Sequence, residues 1–172
     1  MIKKQVNAFL KVMEKDTTLS KIRGAHIDEY NGRTVLVATN RHVLSAMYID
    51  IDKSYIGKTI RREAIEVWYK LASTRSELNG EAIAELADNK ANLMDGYPDW
   101  KKALPKNSGE PQERMVINAE LAKSLQDLSG EPHLDLKLYG NISPMIAHTE
   151  QGMFILMPIK AQKCCQKHNN IK

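Results

Sequence analysis

An amphipathic helix followed by short β-rich runs occurs three times along this chain of 172 residues. The first helix is predicted over residues 4–15, where Val6 and Phe9 begin a series of apolar residues at helical spacing. The second is predicted over residues 61–73, and the third begins after the helix-capping residue Asn118. Because each helix has one apolar face, the repeated order predicts an α+β fold with the helices on one face of an antiparallel sheet.

The β-rich runs predict the strands of this sheet. The clearest signal is Asn31-Gly32 between residues 25–30 and 33–39, because Asn-Gly between two such runs is typical of a tight β-hairpin. A third strand is predicted over residues 43–51. Shorter strands are predicted at residues 81–87, 91–94, 115–117, 134–139, 145–149 and 153–159.

Composition limits the class of protein. With 42% hydrophobic and 27% charged residues, the chain has the composition of a globular protein. Its longest apolar run, residues 6–13, is too short for a signal or membrane segment, and the adjacent Cys164 and Cys165 are poorly placed to bridge to each other. These features favour a soluble protein of the cytoplasm. The net charge of +4 permits contact with nucleic-acid phosphates without requiring it.

The sequence does not contain a convincing catalytic or metal site. His26 with Asp28, and His133 with Asp135, could each form a metal-ligand pair or a base with its orienting carboxylate. Without a third ligand or a nucleophile, these pairs are better interpreted as polar faces of strands. Cysteine and histidine in the C-terminal tail lack a second ligand pair. We therefore expect no catalytic residues, no bound metal and no cofactor.

Three stretches together resemble one known family. Val37-Ala-Thr-Asn-Arg-His-Val-Leu-Ser45 is similar to Val-Ala-Thr-Asp-Gly-His-Arg-Leu-Ala, and Gly96-Tyr-Pro-Asp-Trp-Lys-Lys-Ala-Leu-Pro105 to a Phe-Pro-Asp-Tyr connector that runs on to Leu-Pro. Phe154-Ile-Leu-Met-Pro-Ile-Lys160 is similar to Tyr-Val-Val-Met-Pro-Met-Arg. The three occur in the order found in the bacterial DNA sliding clamp, the β subunit of DNA polymerase III. The chain therefore resembles a shortened sliding clamp.

The resemblance implies a domain organisation. Residues 1–95 would form a clamp-like domain with two helix-plus-strands halves, the second of them shortened, and residues 96–112 would be a connector. Residues 113–160 would form a clamp-like half domain, followed by a polar tail over residues 161–172. The first domain of a clamp and the first half of its third domain have no counterpart in this sequence.

The resemblance also implies a pocket for short linear peptides between the two clamp-like parts. Two departures from the family alter its rim, because Arg41 replaces a glycine and Val43 replaces an arginine. The alternative for residues 155–159 is an ordinary core strand. The residues carried over to this pocket are Thr39, His42, Leu44, Pro98, Lys102, Ala103, Ile155, Met157, Pro158 and Ile159.

Sliding clamps line their central hole with helices whose basic side chains contact DNA phosphates without reading bases. The alternative is that these are ordinary solvated side chains on the polar faces of helices, since acidic residues lie among them. The basic residues expected to face outward from the predicted helices are Lys4, Lys11, Arg61, Arg62, Lys70 and Lys123.

Two functions follow from the resemblance. The first is a sliding clamp-like processivity factor, carried by a phage or mobile element, that encircles double-stranded DNA as a homo-oligomer and tethers a DNA polymerase. A tetramer is expected if the ring keeps the family's number of helix-bearing units. The second is a clamp-like module that captures or sequesters replication proteins without encircling DNA. An unrelated α+β protein is the third possibility, since fold and function are not strictly linked.

Overall fold

The computed structural model describes residues 1–104, 117–138 and 143–158. They form one eight-stranded antiparallel sheet with the strand order β5-β4-β1-β2-β3-β8-β7-β6. The strands are β1 (Gly24–Tyr30), β2 (Arg33–Thr39), β3 (Val43–Tyr48), β4 (Thr59–Arg61), β5 (Leu93–Met94), β6 (Leu136–Lys137), β7 (Met145–Thr149) and β8 (Gly152–Leu156). The helices are α1 (Lys3–Val12), α2 (Arg62–Leu71), α3 (Gly80–Asp88) and α4 (Ala119–Ser129).

The first hairpin follows directly from its turn residues. Asn31 and Gly32 have φ angles of 51° and 77°, which glycine and asparagine tolerate better than other residues. The turn brings Tyr30 opposite Arg33 and sets the register of β1 against β2. The predicted hairpin is therefore confirmed.

The helices pack on one face of the sheet. The apolar face of α1, including Val6 and Phe9, is fully buried in a core that also holds Leu125 and Leu128 of α4. The side chain of Gln5 donates a hydrogen bond to the carbonyl of Leu128 at 3.0 Å and so connects α1 to α4. The predicted α+β fold, with helices on one face of an antiparallel sheet, is confirmed.

Pairing of β3 with β8 joins the first and last parts of the chain in this sheet. Leu44 lies opposite Ile155, and the backbone N–H of Met157 donates to the carbonyl of His42 at 2.9 Å. Gly152 begins β8 with φ at 151°, and a Cβ at this position would lie 2.3 Å from the carbonyl oxygen of Ala46. Only glycine allows so close an approach of the two strands.

The second repeat differs from its prediction. Residues 81–87 were expected to form a strand, but they lie within α3. The Asn79 side chain caps this helix by accepting from the N–H of Ala82, and Ile83 and Ala87 are buried one helical turn apart. Among the described residues between α3 and Trp100, the two-residue β5 is the only strand, so this repeat lacks a meander.

Two other strands are shorter than expected. The strand predicted at residues 43–51 ends at Tyr48, and the one at 134–139 is reduced to Leu136–Lys137. Ile117 is described and lies outside any strand, whereas the rest of the strand predicted at 115–117 and the tail after residue 158 lie outside the described residues. No described helix has the length and apolar character needed to cross a membrane.

Candidate functional site

A short segment, residues 97–104, crosses the sheet face opposite the helices, and we call it the strap. Trp100 is 4% exposed and packs in a second apolar core with sheet residues that include Val37 and Ile155. These sheet residues alternate with those facing the helices, because successive side chains in a strand point to opposite faces. The helices and the strap therefore cover the two faces of one sheet.

Two polar residues of β1 hold the strap. The indole Nε1–H of Trp100 donates to Asp28 Oδ2 at 2.8 Å, and Lys101 Nζ lies 3.0 Å from the same oxygen. The ring of Tyr97 stacks on His26 with centroids 4.8 Å apart and planes at 6°. His26 Nδ1 also shares a hydrogen bond of 2.8 Å with the hydroxyl of Thr59.

These contacts perturb the titration of both β1 residues. Burial lowers the pKa of His26, which favours the neutral form of the ring that stacks on Tyr97. Burial acts to raise the pKa of Asp28, but hydrogen bonds from the Glu29 backbone, Lys101 and Trp100 together lower it. His26 and Asp28 therefore fix the strap, and no group of three potential metal ligands occurs among the described residues.

The strap and the sheet enclose a cavity of about 230 Å³, which we call the cleft. It lies where β2, β3 and β8 meet the strap, so segments far apart in the sequence contribute to it. Most of its walls are apolar, and charged side chains enter the lining at two places. The lining residues are Ile22, Thr39, Arg41, Val43, Leu44, Pro98, Asp99, Trp100, Ala103, Ile155 and Met157.

The residues predicted for a peptide pocket fall into two groups. Thr39, Leu44, Pro98, Ala103, Ile155 and Met157 line the cleft. Three other described residues do not line it. His42 contributes its carbonyl to the β3–β8 junction, Lys102 is exposed and pairs with Asp99 at 3.7 Å, and Pro158 is half-buried. Ile159 lies outside the described residues.

Several lining residues were not among those predicted. Trp100 and Asp99 lie within the connector motif, so the motif itself was the available signal. Arg41 and Val43 stood out only as departures from the family pattern. Ile22 had no local signal, because two 3₁₀ turns over Thr17–Ile22, joined by a kink at Leu19, bring it to the cleft.

Arg41 is held in an unusual conformation at the rim of the cleft. Its φ is 73°, a left-handed value that is rare for residues other than glycine. Its backbone N–H donates to the Thr39 hydroxyl at 3.1 Å, and the Asn40 side chain accepts from the next two backbone N–H groups. Arg41 Nε lies 3.5 Å from Glu14 Oε2, while 60% of the Arg41 side chain is exposed.

The basic side chains on the helical face differ in whether an acidic residue already pairs with them. Lys11, Lys15 and Lys70 are exposed around a groove of about 350 Å³ between α1 and α2, which we call the basic groove. Lys4 and Lys123 are also exposed, but each lies 3.1 Å from Asp127. The hydrogen bond from Lys123, and then that from Lys4, lower the pKa of Asp127.

Arg61 and Arg62 behave differently from each other. Arg61 is exposed and donates from Nε to the carbonyl of Leu93 at 2.8 Å. Arg62 was expected to face outward, and this expectation is wrong, because its side chain is only 8% exposed. Its Nη1 donates to the carbonyls of Leu10 and Met13 at 2.5 and 2.9 Å, where α1 ends and leaves carbonyls without helical partners.

Comparison with solved structures defines the class: this chain has the sliding-clamp fold. It is similar to the DNA polymerase III β subunit of Caulobacter crescentus, with a TM-score of 0.63, 13% identity and coverage of 92% of this chain and 64% of that one. For the β subunit from Pseudomonas aeruginosa, the TM-score is 0.63 and the identity 12%, with coverage of 92% of this chain and 64% of that one. For the sliding clamp from Bacillus subtilis, the TM-score is 0.60 and the identity 12%, with coverage of 93% of this chain and 62% of that one.

The similarity is one of structure, and it covers only part of each clamp. The chain spans just under two thirds of the length of these clamps. No family model matches the sequence, and no curated protein does. The feature that this chain shares with the longer clamps is therefore the fold.

Proposed function

We propose that this protein is a non-catalytic, clamp-like processivity factor that captures short peptide segments of a DNA polymerase and other replication proteins. The observation that carries the proposal is the cleft, because residues from β2, β3, β8 and the strap converge there on an apolar cavity. Leu44, Ile155 and Met157 supply apolar walls of the kind that anchors a peptide side chain. Backbone edges and charged groups at the rim would fix its direction.

The second part of the proposal is that the helical face contacts double-stranded DNA. The basic groove lies on the face opposite the cleft, so one chain could hold DNA and a peptide at once. Lysines that contact phosphates without reading base edges allow movement along the duplex. Lys11 and Lys70 are the strongest candidates, because Lys4 and Lys123 share Asp127.

Encirclement of DNA requires several copies of the chain, and we propose a homo-oligomer with a tetramer as the expected form. An exposed apolar groove of about 630 Å³ between α2 and α3 supports self-association. Within it, Leu71 is 82% exposed and Val67 is 54% exposed. Burial of such residues against another copy would remove their apolar surface from water.

A second candidate function is a protein-binding module that does not encircle DNA. It is favoured by the second repeat, in which α3 and the two-residue β5 replace a full meander at one end of the sheet. In this case the cleft would capture or sequester replication proteins, and the basic helical face would be ordinary solvated surface.

The experiment that tests the peptide site is selection from a displayed library of random peptides. Wild-type protein should enrich peptides with apolar anchors, and Met157→Asp should lose them, because a carboxylate would replace an apolar side chain in the lining of the cleft. The matched control is Leu138→Asp, at an exposed position outside the cleft. Equal enrichment by Met157→Asp and wild type would contradict the proposed site.

Solution mass distinguishes the two functions. A symmetric oligomer in light scattering, reduced to smaller species by Leu71→Glu, would support the ring. A monomer near 19.5 kDa at all concentrations, with peptide selection intact, would favour the module without a ring.

A further inference from the structure

We propose that Arg41 makes the cleft select peptides that carry a carboxylate next to their apolar anchor residues. This inference rests on the proposed peptide-binding function and adds a specificity to it. Arg41 and Asp99 are the charged residues in the lining described above, and they belong to different walls. Arg41 follows β2, whereas Asp99 belongs to the strap.

The position of Arg41 is set by its backbone and by an ion pair with Glu14. The turn after β2 is closed by Thr39 and Asn40, which accept hydrogen bonds from the backbone of the turn. Glu14 is itself immobilised, because its side chain is only 10% exposed and its Oε1 accepts from the N–H groups of Lys15 and Asp16. Arg41 is therefore anchored through Nε at the rim of the cleft.

The rest of the Arg41 guanidinium suits a carboxylate. Glu14 approaches the Nε side, at 3.5 Å, and the side chain as a whole is 60% exposed. Asp16 also interacts electrostatically with Arg41, but its carboxylate accepts hydrogen bonds from Thr18. A guanidinium presents several N–H donors in a plane, so Arg41 can hold a further carboxylate through its terminal nitrogens. Arg41 lines the same cleft as the apolar residues Leu44 and Ile155.

Asp99, in the strap, disfavours the same carboxylate. Asp99 accepts from the N–H of Lys101 at 3.2 Å and lies 3.7 Å from Lys102 Nζ, so its charge is held at the strap. A bound peptide would place an acidic residue towards Arg41 and away from Asp99. This arrangement gives the peptide a preferred direction across the cleft.

The test uses the random-peptide library and the variant Arg41→Gly. Glycine readily adopts the φ of 73° found at this position, so the substitution removes the guanidinium and retains the turn. Asp or Glu should be enriched beside the apolar anchors on wild type and not on Arg41→Gly. For the most enriched peptide, the Glu form should bind wild type about five-fold more tightly than its Gln form, and high salt should reduce this ratio.

Two control variants test whether the Glu preference depends on the guanidinium at position 41 or on any positive charge near the cleft. Lys102→Ala removes a positive charge beside the cleft whose side chain does not line it, and it should keep the Glu preference. Arg41→Lys should keep only part of the preference, because an ammonium lacks the planar donor group. A Glu preference retained by Arg41→Gly, or lost equally in Lys102→Ala, would overturn the inference while peptide binding stands. Failure of the proposed function would appear separately, as equal selection by wild type and Met157→Asp.

Discussion

Trp100 Nε1 donates a hydrogen bond of 2.8 Å to Asp28 Oδ2 and so joins residues 72 positions apart in the chain. The indole fills the second core while its polar edge reaches the carboxylate. Because Trp100 also lines the cleft, this hydrogen bond links the stability of the strap to the shape of the proposed peptide site.

Trp100→Phe should therefore weaken both folding and peptide binding. Phenylalanine retains most of the packing but leaves Asp28 without the indole donor, so we expect a loss of about 1 kcal/mol in the free energy of unfolding. Urea denaturation would measure it. The matched control is Lys101→Met, which removes a half-exposed ion pair to the same carboxylate and should cost less than Trp100→Phe. The reverse order of the two losses would contradict the assigned role.

The stacked pair His26 and Tyr97 predicts a dependence of stability on pH. Burial lowers the pKa of His26 below its ordinary value of 6.5, so the unfolded chain binds more protons than the folded chain as pH falls through that value. Stability should therefore be full above about pH 7 and decline as the pH falls below 6.5. His26→Phe retains an aromatic ring against Tyr97 and should flatten this decline. Urea midpoints measured across this pH range would show it, and identical slopes for the two proteins would contradict it.

Arg62 is a structural residue that joins α2 to the end of α1. Arg62→Met keeps an aliphatic stem of similar length but leaves the carbonyls of Leu10 and Met13 without their donor. We expect a loss of about 2–4 kcal/mol in the free energy of unfolding. The control Lys70→Met, at an exposed position on the same helix, should change stability by less than about 0.5 kcal/mol. Equal stability of the two variants would show that the buried hydrogen bonds contribute little.

Local signals in the sequence predict much of this fold. The Asn31-Gly32 turn and the apolar faces of α1 and α4 depend on neighbouring residues, and each is found as expected. The helix α3 was missed, although Asn79 and the alanine- and glutamate-rich residues after it are typical of a capped helix. The apolar residues in this segment also fit the alternation of a strand. Over so few residues, the helical period of about 3.6 and the strand period of about 2 are hard to distinguish.

The candidate site was less predictable, because its residues are assembled by contacts between distant segments. The carbonyl partners of Arg62 lie 49 and 52 positions away, so its sequence position looked like that of any outward basic residue. Motif resemblance located the strap and β8 and hence much of the cleft. The resemblance could not indicate Ile22, which reaches the cleft through a separate segment of two 3₁₀ turns.

The basic groove gives the sharpest test of DNA contact. Lys11→Glu combined with Lys70→Glu should weaken binding to double-stranded DNA and reduce the slope of log affinity against log salt by about two, because two phosphate contacts are lost. The matched control, Lys21→Glu with Lys102→Glu, reverses the same number of charges at exposed positions, with Lys102 on the strap at the opposite face of the sheet. This control should lower the affinity for DNA only modestly, because it changes the net charge of the protein without removing a phosphate contact. Fluorescence anisotropy over a range of salt concentrations would compare them, and equal slopes for the two double variants would exclude the basic groove as the DNA contact.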